Sequence, residues 1–426
     1  MSAPVYLIDG ARTPFLKARG KPGPFTPVDL AVNCGRPLLA KLNLPNDAFD
    51  DVILGCVNPV ADEVNPGRVA ALRLGLDMKV PGWTVQRNCG SGMQSIDVGF
   101  REIADGRAHL VLAGGTESLS HTPLLFPRSF VEWFGRLASA RDVGAKLQAL
   151  LAFRPAMLKP VIGLERGLTD PVVELNMGQT AEVLAYLFSI SRESADAYAV
   201  ESHHRLANAH NAGFLDEIEP MYDKRGKLYD HDDGVRPEST QDSLAKLKPA
   251  FEKPFGKVTP GNSSQITDGA CWVVLASEEA RRRYNLTPLA RIVDSHWAAL
   301  DPRVMGLGPT LAATPLLIKY NLGLADIHLW EINEAFAAQV IACLKAFVSE
   351  AYCRQYLGLD SALGLISTDK LNVDGGAIAI GHPVGCSGAR IVLHLAKAMQ
   401  RLGKKRGMAS ECIGGGQGGA MLLEAL

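Results

Sequence analysis

The 426-residue sequence has no CxxC pair, no excess of positive charge and no long apolar run, and each absence removes a class of function. Lys plus Arg (44) nearly equals Asp plus Glu (45), a formal net charge of −1, so nothing in the balance favours nucleic-acid phosphates and no nucleic acid is expected as a partner. Cys34, Cys56, Cys89, Cys271, Cys343, Cys353, Cys386 and Cys412 are scattered along the chain, which supports neither a dense disulfide framework nor a metal ribbon with paired ligands. Reduced thiols in a cytoplasmic compartment are the expectation, with no metal. No apolar run approaches the roughly 20 residues that a spanning helix needs. The N-terminal MSAPVYLIDGARTPF enters a strand pattern directly, without the basic and apolar regions of a secretory signal, so a soluble, unexported chain is expected.

What is present describes an ordinary folded protein, 47% hydrophobic and 21% charged. At roughly 150 residues per domain, the length suggests two or three domains or lobes. Short apolar runs predict strands at VYLID (5–9), DVILGCV (51–57), HLVLAGG (109–115), CWVVLA (271–276), LARIVDSHWAA (289–299) and IHLWEIN (327–333). Helical periodicity lies between them in PVDLAVNCGRPLLAKL, SGMQSIDVGFREIADG and EEARRRYN, and the alternation favours a layered α/β fold with sheets buried on both faces.

The plan occurs twice. DVILGCV, NCGSGMQSIDVG and LVLAGGTES follow one another as strand, glycine-rich turn opening a helix, and strand running into glycines. IHLWEINEAF, GHPVGCSGARIVLHLAKAM and MASECIGGGQGGAMLLEAL repeat that order in the second half, as duplicated lobes would. The expected division is residues 1–116 with 261–287 as the first lobe, 117–260 as an insertion, and 288–426 as the second lobe. Within the insertion, MGQTAEVLAYLFSISRESADAYAVESHHRLANAHNAG reads as a well-formed helix pattern. Residues 121–166 are apolar and basic: Arg128, Arg136, Arg141, Lys146, Arg154, Lys159 and Arg166 stand against Glu132, Asp142 and Glu165. Such a face suits a membrane surface or a partner, or packs as a lid on the lobes with its charges solvated.

Cys89 in QRNCGSGMQS falls where a strand pattern ends and a helix begins. Helix N-termini carry unpaired N–H groups and about half a positive charge. A thiol placed there should titrate below its usual value of about 8.5 and serve as a nucleophile, although a small buried cysteine fits the same position. Three stretches could assist it. His382 in GHPVGCSGAR is suited to take a thiol proton. ECIGGGQGG places Cys412 at a strand end beside five glycines whose backbone N–H groups could face an oxyanion. Asn333 in NEAFAAQ could orient a water or a carbonyl.

Together and in this order the stretches resemble the thiolase family, from DGARTPF through NCGSGMQS, AGGTESLS, NEAFA and GGAIAIGHPVGCSGAR to CIGGGQG, over nearly the whole chain. The resemblance implies two βαβαβαββ lobes in a five-layer αβαβα sandwich, with the insertion as a loop domain covering coenzyme A. It implies coenzyme A or acyl-CoA as substrate, no tightly bound cofactor, and a homodimer or homotetramer. By the same resemblance Cys89 is the nucleophile that becomes acylated, His382 its base, and Cys412 the second acid–base. Asn333 holds a catalytic water that forms one oxyanion hole with His382, and the N–H groups of Cys89 and Gly414 form the other. Met177 and Ser264 line the coenzyme A channel.

The chemistry asks for two such groups on its own terms, because breaking a carbon–carbon bond in a 3-ketoacyl thioester needs a nucleophile at the ketone and a separate proton source for the departing enolate. The length of the insertion resembles thiolase subunits of fatty-acid oxidation complexes, which implies a hydratase–dehydrogenase partner and, in some members, peripheral membrane contact. A 3-ketoacyl-CoA thiolase is therefore expected, with an acetyl-CoA acetyltransferase as the alternative and a non-catalytic lipid carrier as a remote one. Asn176 stands where short-chain members often have histidine, and Asp374 where asparagine is frequent.

Overall fold

The computed structural model describes residues 3–426. Its first strand, β1 (Val5–Arg12), is followed by helix α1 (Pro27–Leu42), β2 (Asp51–Gly55), α2 (Pro66–Arg73), β3 (Gly82–Val85), α3 (Ser91–Ala104) and β4 (Leu110–Ser118). Helices α4 (Arg128–Ser139), α5 (Val143–Leu151), α6 (Gly163–Gly167), α7 (Met177–Leu187) and α8 (Arg192–Asn211) then precede β5 (Thr267–Ser277). The second half runs β6 (Ala290–Ala299), α9 (Gly308–Lys319), β7 (Leu329–Ile332), α10 (Ala337–Val348), α11 (Val384–Arg401), β8 (Arg406–Ile413) and β9 (Gln417–Glu424).

The strands lie in the order β7-β8-β9-β6-β1-β5-β4-β2-β3, and the two halves join where Val5–Leu7 pairs antiparallel with Ala290–Ile292. The duplication is visible in the pairing. β2 lies parallel to β4, with α3 in the connection between them, and β7 lies parallel to β8, with α11 in the connection, since parallel strands need a crossover.

Strand alternation sorts side chains into three packed clusters and hence five layers. Val28, Leu30 and Leu38 of α1 cover Val52, Leu54 and Trp272 on one outer face. Leu316 and Leu317 of α9 and Val340 and Phe347 of α10 cover Trp330, Met408 and Leu422 on the other. Between the two half-sheets, Met93 and Ile96 of α3 and Ile391 and Leu395 of α11 pack with Val111, Val273 and Met421. This central layer is tight because it is built on glycine: a Cβ on Gly92 would stand 2.7 Å from Ala389 N, and one on Gly388 would stand 2.5 Å from Met93 N.

The structure departs from the sequence reading in two places here. Met177–Gly213 is not one helix. α7 stops at Leu187, Ser189 adopts φ 47°, and the Ser191 side chain caps α8 by accepting from Ser194 N at 3.1 Å. The lobe boundary expected after residue 116 falls inside β4, which continues to Ser118 because Glu117 pairs with Gly269 of β5. A buried ion pair fastens the inserted segment to the sheet: Arg12 donates to both Asp232 carboxylate oxygens at 2.7 and 2.8 Å and to Glu217 at 3.3 Å.

Candidate active site

The two central helices begin at the same end of the sandwich, and their approach loops carry the candidate residues. Asn88 adopts φ 45°, a conformation asparagine tolerates, and Gly90 caps α3, so Cys89 stands just before the first helical turn. Ser91 Oγ accepts from Arg87 N at 2.8 Å and donates to Asn88 O at 2.7 Å, which closes the turn. Asn88 Nδ2 donates to Gly414 O at 2.9 Å, so the Cys89 turn and the glycine loop after β8 are fixed to each other.

A cavity of about 220 Å³ brings together Cys89, His382, Cys412, Met177 and Ser264, with Phe251 and Phe336 on its apolar wall. Gly414 and Asn333 are not on that lining. Gly414 lines a second cavity, of about 300 Å³, that also reaches Cys89. Asn333 is fully buried at the end of β7, behind Ala335 and Phe336, which do face the first cavity. Its backbone N–H donates to Ser410 O at 2.9 Å, whereas its side-chain Oδ1 and Nδ2 have no partner among the described residues. His382 Nε2 is likewise free. Buried polar groups are nearly always paired, so free ones beside a cavity are suited to receiving a substrate or water atom.

His382 Nδ1 lies 2.6 Å from Ser387 Oγ in the first turns of α11, and Ser387 Oγ lies 3.3 Å from Pro383 O. With the hydroxyl proton directed to Pro383 O, Nδ1–H donates to Ser387 and Nε2 keeps its lone pair; this tautomer is assigned from the hydrogen-bond geometry. Burial, reinforced by the Arg390 guanidinium, holds the ring down at about 4, so it is a neutral base at pH 7.

The expected low-pKa thiol at Cys89 is not found. Burial pushes it up to about 11 despite the opposing Gly414 amide, so the helix end does not produce a standing thiolate. The cause is desolvation, to which the buried Glu411 carboxyl adds. Cys412 is also driven well above its ordinary value by burial and by Cys89. The resting site holds a neutral thiol and a neutral imidazole on one cavity, and the proton moves only when an electrophile accepts the sulfur's electrons.

Several supporting residues were not singled out from the sequence. Glu117 accepts from Val57 N, Asn58 N and Gly385 N at 3.0, 2.9 and 3.0 Å, joining the loop after β2 to the start of α11. Burial raises this carboxyl to about 7 against those three donors. Glu334 accepts from Tyr198 Oη at 3.0 Å, Ser202 Oγ at 2.6 Å, Asn372 Nδ2 at 3.0 Å and Ile378 N at 3.2 Å, which fixes the turn bearing Asn333. Both acids sit in motifs already quoted, and an acidic residue at an apolar strand's end was the available signal. Asn176 caps α7, exchanging hydrogen bonds with Gln179 at 2.9 and 3.0 Å. Asp374 has a clear function in packing, as it accepts from His394 Nε2 at 3.0 Å and from Arg401.

Comparison with known proteins shows the family. Residues 5–279 match the family model "Thiolase, N-terminal domain" and residues 286–425 match "Thiolase, C-terminal domain". The mitochondrial 3-ketoacyl-CoA thiolase of Bos taurus is 39% identical over 427 residues, covering 99% of this chain and 98% of that protein. The mitochondrial trifunctional enzyme subunit beta of Bos taurus is 35% identical over 422 residues, covering 99% and 88%. Among solved structures, human mitochondrial 3-ketoacyl-CoA thiolase in complex with CoA superposes with a TM-score of 0.85 at 37% identity, covering 100% and 98%. The acetyl-CoA acetyltransferase of Bacillus anthracis gives the same TM-score at 34% identity, covering 100% and 99%.

Proposed function

The chain belongs to the thiolase family, and we propose that it is the 3-ketoacyl-CoA thiolase of a fatty-acid β-oxidation sequence, working through an acyl group on Cys89. One observation carries the mechanism: a single small apolar cavity gathers Cys89, His382 and Cys412. The Cys89 sulfur attacks C3 of the 3-ketoacyl thioester while His382 Nε2 takes the thiol proton. The C2–C3 bond breaks, its electron pair passes to C2, and Cys412 supplies the proton that completes acetyl-CoA. Coenzyme A then enters and gives its thiol proton to the Cys412 thiolate, its sulfur attacks the acyl carbonyl, and the departing Cys89 sulfur takes back the proton held by His382. Gly414 and Cys89 N–H groups serve the tetrahedral oxygen, and Asn333 with His382 serves the enolate oxygen through a water. Met177 and Ser264 guide the pantetheine arm, and no bound cofactor takes part.

The reading extends to assembly and place. The trifunctional-enzyme relative is by name one subunit of a larger enzyme, which supports a hydratase–dehydrogenase partner. Homo-oligomerisation follows the family resemblance. Val131, Phe134, Leu147 and Leu151 of α4 and α5 are exposed beside Arg128, Arg136 and Lys146, which supports peripheral contact with an anionic membrane through residues 121–166. Eight free cysteines fit a reducing compartment, which the cytoplasm and the mitochondrion named for the relatives both provide.

The test is coenzyme A-dependent thiolysis of 3-ketoacyl-CoA substrates from four to sixteen carbons, with Cys89→Ala as the blank. Cleavage of chains beyond four carbons supports the reading. Activity confined to acetoacetyl-CoA would make the protein an acetyl-CoA acetyltransferase, and turnover by the alanine variant would revive a thiolase-like carrier whose chemistry lies elsewhere.

A further inference from the structure

We propose that a third cavity, walled by the segment that follows β1 and by a short hairpin of the insertion, is an anion site that takes the polyphosphate chain of a nucleotide. It is separate from the reaction site, because none of its lining residues lines either cavity at Cys89. At about 650 Å³ it is larger than both of those together, and it falls within the roughly 300–1,000 Å³ usual for small-molecule sites.

The walls are fastened to each other mainly by acids. Leu16–Lys17 pairs with Thr267–Asp268 of β5, and Met221–Tyr222 pairs with Leu228–Tyr229 to form the hairpin. Asp232, the partner of Arg12, also accepts from Phe15 N at 2.8 Å, and Asp233 N donates to Phe15 O at 2.9 Å. The Asp233 carboxylate accepts from Arg19 Nη2 at 2.8 Å and from Lys17 N at 3.3 Å. At the floor, Asp268 accepts from Ser120 N at 2.8 Å and from the Ser120 hydroxyl, while Gly23 N donates to Ser120 Oγ at 2.9 Å. Asp223 closes the hairpin turn by accepting from Arg225 N at 2.8 Å, Lys227 N at 3.0 Å and Tyr229 Oη at 3.3 Å.

A charge imbalance results. The three carboxylates on the lining, Asp223, Asp233 and Asp268, are all engaged in holding the walls. Of the lysines and arginines on the lining, only Arg19 is ion-paired among the described residues, which leaves Lys17, Lys21, Lys224, Arg225 and Lys227 without a counter-charge. Lys227 Nζ sits over the Tyr229 ring, 4.6 Å from its centroid, a weak substitute for an anion at an exposed position. Burial, and then Arg236 and Arg19, push the Lys17 ammonium below its ordinary value. The whole chain has a net charge of −1, so this is a local concentration of cations and not a general basicity. Like charges held around one concavity repel, and a bound anion offsets that repulsion.

The chemistry of the lining selects the anion. Four of the five unpaired cations are lysines, compact point charges that suit phosphate oxygens without bidentate geometry. They stand on both walls, so the ligand must carry charge at several points, as a di- or triphosphate does and a single carboxylate does not. Leu228, which is 42% exposed, and the Tyr229 ring lie on the same lining and give the nucleoside end an apolar face.

The experiment is calorimetric titration of the full chain with ATP in the presence of saturating coenzyme A, so that the substrate channel is filled, with tripolyphosphate and adenosine as separate probes. Wild type should bind one ATP per chain, tripolyphosphate more weakly and adenosine not at all. The double variant Lys224→Glu, Lys227→Glu alters two exposed side chains that make no ion pair, and thermal melting checks its fold. It should weaken ATP binding at least about tenfold, as loss of charge-assisted contacts does. ATP that fails to bind while coenzyme A is present, or that binds the folded variant as tightly as wild type, overturns the site. Adenosine binding as tightly as ATP overturns the assignment to phosphate, and tripolyphosphate binding as tightly as ATP overturns the nucleotide as its carrier.

Discussion

Ser387→Ala removes one oxygen atom from a residue that lines neither cavity at Cys89, yet it should impair the chemical step. Ser387 Oγ is 2.6 Å from His382 Nδ1, the serine is 1% exposed, and the ring's other nitrogen has no partner among the described residues. Alanine leaves Nδ1–H buried and unpaired, an expense of about 1–3 kcal/mol. The ring can recover part of this by rotating or by moving its proton to Nε2, and either change takes the free Nε2 lone pair from its place beside the cavity that Cys89 also lines. At about 1.4 kcal/mol per tenfold, kcat should fall by roughly 5- to 150-fold. Ser387 lines neither cavity, so KM should hold. The assay is steady-state thiolysis with a medium-chain substrate, with thermal melting to confirm that the variant is folded. A folded Ser387→Ala enzyme with wild-type kcat, or one whose loss lies wholly in KM, refutes the assignment of His382 as a base held by Ser387.

Three further outcomes follow from the same structure. Because burial holds the Cys89 thiol at about 11, free enzyme at pH 7 should lack thiolate absorbance and react slowly with iodoacetamide, faster as pH rises toward 11; rapid alkylation at pH 6 would show a standing ion pair instead. His394 has burial pushing its ring down, but Glu217 and Asp374 outweigh that and hold it at about 10, against an ordinary value of 6.5. A raised cation adds stability that is full below pH 6.5 and is lost as pH climbs through 10, so urea midpoints should decline between pH 7 and 10 in wild type and less steeply in His394→Asn. Arg12→Met leaves Asp232 and Glu217 buried without their cation and should destabilise by about 3–5 kcal/mol in urea titration; a change near zero would mean that water reaches the pair.

Much of this arrangement is legible in the linear chain because it is local. The strand, glycine turn and helix around Cys89 recur around His382, and the continuous apolar runs of VYLID and CWVVLA mark strands buried on both faces. The long motifs carry the family resemblance, and with it the grouping of Cys89 with His382 and Cys412, which follow it some 300 positions later. What the sequence withholds depends on burial and on distant neighbours. A helix end is visible in the sequence and desolvation is not, so the upward shift at Cys89 is not legible there. The break between α7 and α8 hangs on one positive φ at Ser189, and serine gives little notice of it. Asp374 acquires a reason only once α11 brings His394 and Arg401 beside it.

The central claim is that the substrate's acyl group passes through Cys89. The most direct measurement is to mix the enzyme with a 3-ketoacyl-CoA in the absence of free coenzyme A, quench in acid and locate the acylated peptide by mass spectrometry. The account expects one acyl group on the peptide containing Cys89, lost on adding coenzyme A, absent in Cys89→Ala, and still formed to some extent in Cys412→Ser, which slows carbon–carbon cleavage. Acylation at Cys412, or turnover by Cys89→Ala without any acyl-enzyme, would contradict it.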